Sequence, residues 1–244
     1  MSNSRLSRIE TLWSVVRHSQ DTDSELSVSA QQQLLGLYGS AIKRYLLAAL
    51  RDQDAADELF QQFALKFVEG GFRNADESKG QFRAFVKTVL YRMIASHFRK
   101  RSRSKQKTLQ PDLINDWVVN ESENDSQFST EWRDEILEQA WQALENNDRQ
   151  SKTNHFIILT VKVNEPGLSS SDFAERLTEQ LGKPVKSTAA RVSLHRAREK
   201  FAKYVIESVA QSLENPTRQN IEEELIDLEL ISYCRDTLAT THPA

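Results

Sequence analysis

Two stretches of this sequence concentrate side chains able to grip an anionic polymer. Residues 82–107 carry Arg83, Lys87, Arg92, Arg99, Lys100, Arg101, Arg103, Lys105 and Lys107 with no acid among them. Residues 182–205 carry Lys183, Lys186, Arg191, Arg196, Arg198, Lys200 and Lys203 against the single Glu199. Lys and Arg at this density neutralise phosphates and release condensed counterions, which binds a nucleic acid without reading it. Reading needs a tighter arrangement. In the second stretch Thr188, Arg191, His195 and Arg196, with Lys186 just ahead of them, fall on the outer side of a helix. An Arg so placed can donate two hydrogen bonds to guanine O6 and N7 in a major groove about 12 Å wide. A third constellation is anionic: Asp54, Asp57, Glu58 and Gln61 recur at helical spacing as an acidic and amide strip. The three carboxylates could also be drawn as the metal site of a hydrolase, but no His or further acid follows at a ligand spacing. One Cys and five scattered His give no zinc pattern. No metal, no cofactor and no catalytic residue is expected.

The elements that must position these groups are helical. Seven Gly and five Pro in 244 residues are too few turn formers for a many-stranded barrel or sandwich. Apolar residues recur every three to four positions in Arg5 to His18, in Ser29 to Leu50 and in Asp54 to Val68, where the acidic strip lies opposite Ala56, Leu59, Phe60, Phe63 and Phe67. Gly70, Gly71 and Gly80 mark a loop, after which Phe82, Phe85, Val86, Val89 and Met93 form the core stripe of a fourth helix. Thr88, Arg92, Ser96, Arg99 and Arg103 form its polar stripe, so the first basic run continues this helix.

The net charge of -3 hides a segregation. Residues 121–148 hold nine acids against Arg133, between the two basic segments. A solvated helix face accounts for any one charged run but less readily for this alternation. Periodicity lapses from Ser102 to Thr130, which predicts a flexible acidic linker, and helix resumes from Glu131 to Leu144. Asn154 to Val163 suits a buried helix better than a strand. Ser169 to Ser171 offer N-caps for a helix to Leu181, Gly182 and Pro184 end it, and a long basic helix follows from Ser187 to Leu213. Phe173, Ala174 and Leu177 face inward from the first of this pair, Ala190, Leu194, Ala197, Phe201 and Tyr204 from the second. The arrangement has the form of a helix-turn-helix, although an ordinary helical hairpin with a charged outside has the same pattern. The fold class expected is all-α, in two small helical domains: residues 1–103, a linker over 104–130, a second domain over 131–213, and an acidic helical tail over 214–244. No apolar run approaches the roughly 18 residues of a bilayer span, and the N-terminus lacks the apolar core of a secretory signal. The chain is expected to be cytoplasmic, with no membrane partner.

Several of these residues together resemble a known family. Leu194-His195-Arg196-Ala197-Arg198 with Phe201 resembles the end of the promoter-recognition helix of extracytoplasmic-function sigma factors, and Phe173-Ala174-Glu175-Arg176-Leu177 resembles its supporting helix. Ala56-Asp57-Glu58-Leu59 with Gln61 is similar to the acidic helix of their second conserved region. Phe82-Arg83-Ala84-Phe85-Val86, followed by His97-Phe98-Arg99-Lys100-Arg101, is similar to that region's DNA-melting helix. The likeness covers roughly residues 34–103 and 132–204. It departs at Arg92 and Ser96, where the family usually has Asn and Asp, and at Ala189-Ala190-Arg191-Val192. No promoter sequence carries over.

The resemblance implies a transcription initiation factor that brings RNA polymerase core to specific promoters and melts them. Asp54, Asp57, Glu58 and Gln61 would meet the clamp helices of the β′ subunit. Lys186, Thr188, Arg191, His195 and Arg196 would contact the upstream double-stranded element. Phe72, Arg92, Ser96, Arg99, Lys100 and Arg103 would hold the melting region, with Phe72 the best placed ring for an unstacked base because Phe82 and Phe85 sit on the core stripe. The resemblance leaves room for an anti-sigma partner. The alternative is a helix-turn-helix regulator acting without polymerase core. The tail helix, Ile221 to Leu238, lies outside the resemblance. It is open whether it brakes a basic helix, extends the second domain or meets another copy.

Overall fold

The computed structural model describes residues 25–69, 82–104, 121–213 and 216–241. The helix expected over Arg5 to His18, the loop carrying Phe72, and residues 105–120 lie outside the described residues. Among the described residues every element is a helix and none is a strand. In chain order they are α1 (Glu25–Leu50), α2 (Gln53–Val68), α3 (Phe82–Ser104), α4 (Glu121–Ser151), α5 (His155–Asn164), α6 (Ser170–Leu181), α7 (Ser187–Gln211), α8 (Arg218–Asp227) and α9 (Ile231–Thr241). No described helix is long and apolar enough to cross a membrane.

These helices group into two compact units. One holds the chain through Glu135 together with Val209–Leu228; the other holds Ile136–Ser208 and the segment from Glu229 onward. In the first unit, α1 and α2 are joined by Arg51, which takes the left-handed conformation at φ 50° and donates its N–H to the Leu47 carbonyl. Asp52 then caps α2, its side chain accepting the Ala55 N–H at 3.2 Å; a cap of this kind contributes about 1 kcal/mol. The helices approach closely at Gly39, where a Cβ would stand 3.3 Å from the Phe60 ring. The apolar stripe of α2 is buried as its spacing predicts: Ala56, Leu59, Phe63 and Phe67 are all inside.

The centre of this unit is aromatic. Tyr38 of α1 stacks on Trp132 of α4 with centroids 4.4 Å apart, Phe82 of α3 lies 6.3 Å from Trp132, and Phe128 of α4 meets Tyr45 edge-on at 5.1 Å. Ring pairs in these geometries add about 0.5–1.5 kcal/mol each beyond their area burial. Burial raises both phenols, Tyr45 to about 12.

Helix α4 starts at Glu121, ten residues ahead of the Glu131 that periodicity predicts. The later part of the expected linker is therefore ordered helix. Ser, Asn and Asp give it low helix propensity, and burial of Phe128 offsets this. The acids on it are also less solvated than their sequence suggests. Asp125 pairs with Lys87 at 3.0 Å, Glu131 accepts from Arg44 Nε at 2.8 Å, and Glu135, almost fully buried, accepts from Arg44 Nη2 at 3.3 Å and from the Ser40 hydroxyl.

The tail is two helices where one was expected. Glu229 adopts φ 58°, the Leu228 N–H bonds back to Glu224, and Leu228 and Leu230 on either side of this break are both buried. The face of α8 made by Ile221, Glu224, Leu225 and Leu228 is fully buried. Glu224, with 0% side-chain exposure, accepts from Arg83 Nε at 2.7 Å and Nη2 at 3.2 Å; Asp227 accepts from Nη2 and the Ser129 hydroxyl from Nη1. Of the possibilities left open for the tail, packing holds for α8, and it is the N-terminal unit that α8 extends. Removing one partner of a buried pair costs about 3–5 kcal/mol. Glu224→Ala is expected at the low end, about 3 kcal/mol, because Asp227 still faces Arg83. Adding Arg83→Met should restore much of that loss. Urea denaturation followed by helical circular dichroism checks both, and a wild-type midpoint for Glu224→Ala would remove the pair from the fold's essentials.

Candidate nucleic-acid interface

The second unit is built around the α6–α7 pair. Its core joins Leu144 of α4, Ile158, Leu159 and Val161 of α5, Phe173, Ala174 and Leu177 of α6, and Ala190 and Ala197 of α7. Trp141, Val185, Leu194, Phe201 and Tyr204 pack around it, so the inward faces predicted for α6 and α7 are the buried ones. Asp148, counted among the acids of the anionic run, is a buried connector: it accepts the Phe156 N–H at 2.7 Å and the Thr153 hydroxyl, fixing the turn between α4 and α5. Lys162 donates to the Pro166 carbonyl at 2.6 Å and holds the turn before α6.

Local chemistry then fixes α6 against α7. Ser169 caps α6 by accepting the Asp172 N–H at 3.2 Å. Gly182 ends it at φ 64°, the left-handed position that glycine takes without a Cβ penalty. The connection runs through residues 182–186, and Thr178 spans it: its hydroxyl donates to the Ala174 carbonyl and accepts the Val185 N–H, each at 2.9 Å. That hydrogen bond seats Val185 against the core and sets where α7 begins.

With Ala190 and Ala197 inward, the opposite side of α7 faces solvent. Lys186, Thr188, Arg191, His195 and Arg196, the five residues the sequence singles out, are all exposed, as are Lys183 and Arg198. His195 lies 3.4 Å from Glu199, an exposed contact on the same helix. Arg191, Arg196, Arg198, Lys183 and Lys186 make no ion pair with another described residue. Arg176 on α6 contrasts with them: it is held by Glu165 and Glu179, both at 3.0 Å, contacts that raise its pKa further. Five of the unpaired cations of this unit are thus gathered on α7 and its lead-in turn; Lys152 and Arg235 stand apart from them.

The first unit carries two more strips. On α3, Arg92, Ser96, Arg99 and Lys100 are exposed along one side, and the Arg103 side chain is outside the described residues. Arg83 and Lys87, earlier on the same helix, are occupied by Glu224 and Asp125. Phe82 is core and Phe85 is half-buried beside it. On α2, Asp54, Glu58 and Gln61 are exposed and Asp57 is half-buried. Asp57 accepts from Gln53 at 2.9 Å and lies 3.7 Å from Lys43, whose ammonium sits over the Phe60 ring. Among the described residues no group of three or more His, Cys, Asp or Glu could hold a metal ion. Cys234 is buried, which pushes its thiol up to about 12.

Sequence reasoning missed the positioning roles of Asp148 and Thr178 and the exposure of Val192. The signal for Thr178 was its place one turn before Gly182; Asp148 gave none, being one acid in an acidic run. Comparison with family models, curated proteins and solved structures gives no match. Thr178→Val keeps the shape but leaves the Val185 N–H without its acceptor, a loss of about 1–3 kcal/mol. Hydrogen exchange at Val185 should accelerate by at least tenfold while α6 and α7 remain helical; unchanged protection would show that the turn is held by apolar packing alone.

Proposed function

We propose that this chain is a promoter-specificity subunit of bacterial RNA polymerase, of the extracytoplasmic-function sigma type, and that it recognises and opens promoter DNA. The observation that carries the proposal is the outward cationic strip on α7, unpaired and set on a helix pair whose sequence resembles a promoter-recognition helix-turn-helix. Helix α7 would lie in the major groove of the upstream element, with Arg191 in its first turns at base edges. The polymerase attachment is supported by the first unit, where α2 exposes an acidic and amide strip and α3 exposes Arg92, Ser96, Arg99 and Lys100. Such a chain needs both: a surface for a cationic protein partner, and cations that hold phosphates while strands separate. Phe72 would take an unstacked base there. The cytoplasm is where such a subunit works.

The full-length chain should co-purify with polymerase core. Asp57→Lys with Glu58→Lys should weaken that association at least tenfold with helical content unchanged, since Glu58 is exposed and the half-buried Asp57 meets the surface groups Gln53 and Lys43 rather than the core. Specific binding to duplex DNA by a chain that never associates with core would make it a helix-turn-helix regulator instead.

The two cationic strips should also differ in kind. Arg191→Ala should cost about 1–3 kcal/mol at one base pair and relax preference there. Arg99→Ala should weaken all sequences alike and lower the salt slope by about one. Titrations of matched and scrambled duplexes at several salt concentrations separate these outcomes. Equal losses for Arg191→Ala on both duplexes would make it a phosphate contact.

A further inference from the structure

The outer face of α7 holds one side chain that its charge pattern does not explain. Val192 is 50% exposed, one of seven large apolar side chains exposed among the described residues and, of these, the one on α7. It follows Arg191 directly and stands one helical turn from both Thr188 and Arg196, so it lies inside the cationic strip. A β-branched residue facing water on a helix is a poor choice on propensity, about half a kcal/mol worse than Ala. No apolar neighbour on α7 covers it: the flanking Ala189, Arg191, His195 and Arg196 are all exposed. An apolar group flanked by the unpaired Arg191 and Arg196 suits a partner that is anionic around its edges and apolar at one point. The charge rules out an apolar protein groove as the better fit, because the cations beside Val192 would be desolvated without partners. The major groove of DNA meets both demands. Phosphates line it, and the C5-methyl group of thymine is the apolar feature of its floor.

We infer that Val192, assisted by the Thr188 methyl, is a specificity-determining residue that packs on a thymine methyl, so that the upstream element contains a thymine next to the bases met by Arg191 and Arg196. The inference rests on the DNA-reading role proposed above and adds to it which base the apolar contact selects.

Duplexes are selected from a random pool by the full-length chain, alone and assembled with polymerase core. Each thymine of the selected duplex is then replaced singly by deoxyuridine, which removes only the methyl group. At one position, or two adjacent ones, the replacement should weaken wild-type binding about fourfold, the worth of one buried methyl. Val192→Ala should bind the thymine and deoxyuridine duplexes equally, and Val192→Thr, which keeps the shape but exchanges a methyl for a hydroxyl, should fall between. Circular dichroism should be unchanged for both, since the position is exposed. If no deoxyuridine replacement matters to the wild type, or if Val192→Ala loses affinity for both duplexes by the same factor, Val192 does not read thymine, while the DNA-reading proposal stands. If the pool yields no enriched sequence in either form of the protein, that proposal fails and takes this inference with it.

Discussion

A buried carboxylate has few ways to exist in a folded protein, and Glu224 has taken the most demanding one. With no exposure it needs a cation in direct contact, or its desolvation would cost several kcal/mol. Arg83 supplies that cation 141 positions earlier in the chain. A guanidinium is suited to the role because its planar fork meets a carboxylate with two nitrogens and keeps others for Asp227 and Ser129. One side chain thus gathers α3, α4 and α8 within the first unit. The chain's late helix is part of the early fold.

This has a consequence for charge. The basic run over residues 82–107 reads as nine cations of one kind, yet at its start Arg83 and Lys87 are paired with Glu224 and Asp125. Arg92, Arg99 and Lys100, further along α3, are exposed. A similar division applies to the acidic run, where Asp125, Glu131, Glu135 and Asp148 have partners inside their own units. Counting charges along a sequence therefore overstates what is available to a partner, and solvent exposure decides which of them can meet a phosphate.

The same physics explains what the sequence made legible. Helix position and inward face depend on a period of about 3.6 residues, which is local. Hence α2, α3, α6 and α7 lie close to where their stripes put them, with Ala56, Phe63, Phe82, Phe173 and Ala197 inside. Thr188, Arg191, His195 and Arg196 on α7 were legible for that reason: once Ala190 and Ala197 point inward, Arg191 and His195 must point out. Long-range partners have no such period. Nothing near Arg83 names Glu224, and nothing near Ser40 names Glu135. The first turns of α4 were missed because Ser, Asn and Asp argue locally against helix, whereas Phe128 is held by aromatic contacts to Tyr45 and Trp132. The tail reads as one helix because Glu229 is an ordinary helix former, and no local signal names the break at its φ of 58°, which goes with burial of Leu228 and Leu230 on either side.

What makes α7 a surface with one defined orientation is the smallness of its buried residues. Ala190 and Ala197 are fully inside and lie seven residues apart, two turns along a single line of the helix. Alanine at both places lets this line sit close to the core that α6 shares, with Leu194 and Phe201 packing beside it on the same face. A rotation of one residue about the helix axis, roughly 100°, would carry Arg191 inward and leave a guanidinium in an apolar core without an acid to receive it. The penalty for burying that charge far exceeds what the exposed strip gains from any contact on its own helix. Core packing at two alanines, fixed in register by the Thr178 hydrogen bond across the turn, thereby determines which side chains a groove can meet.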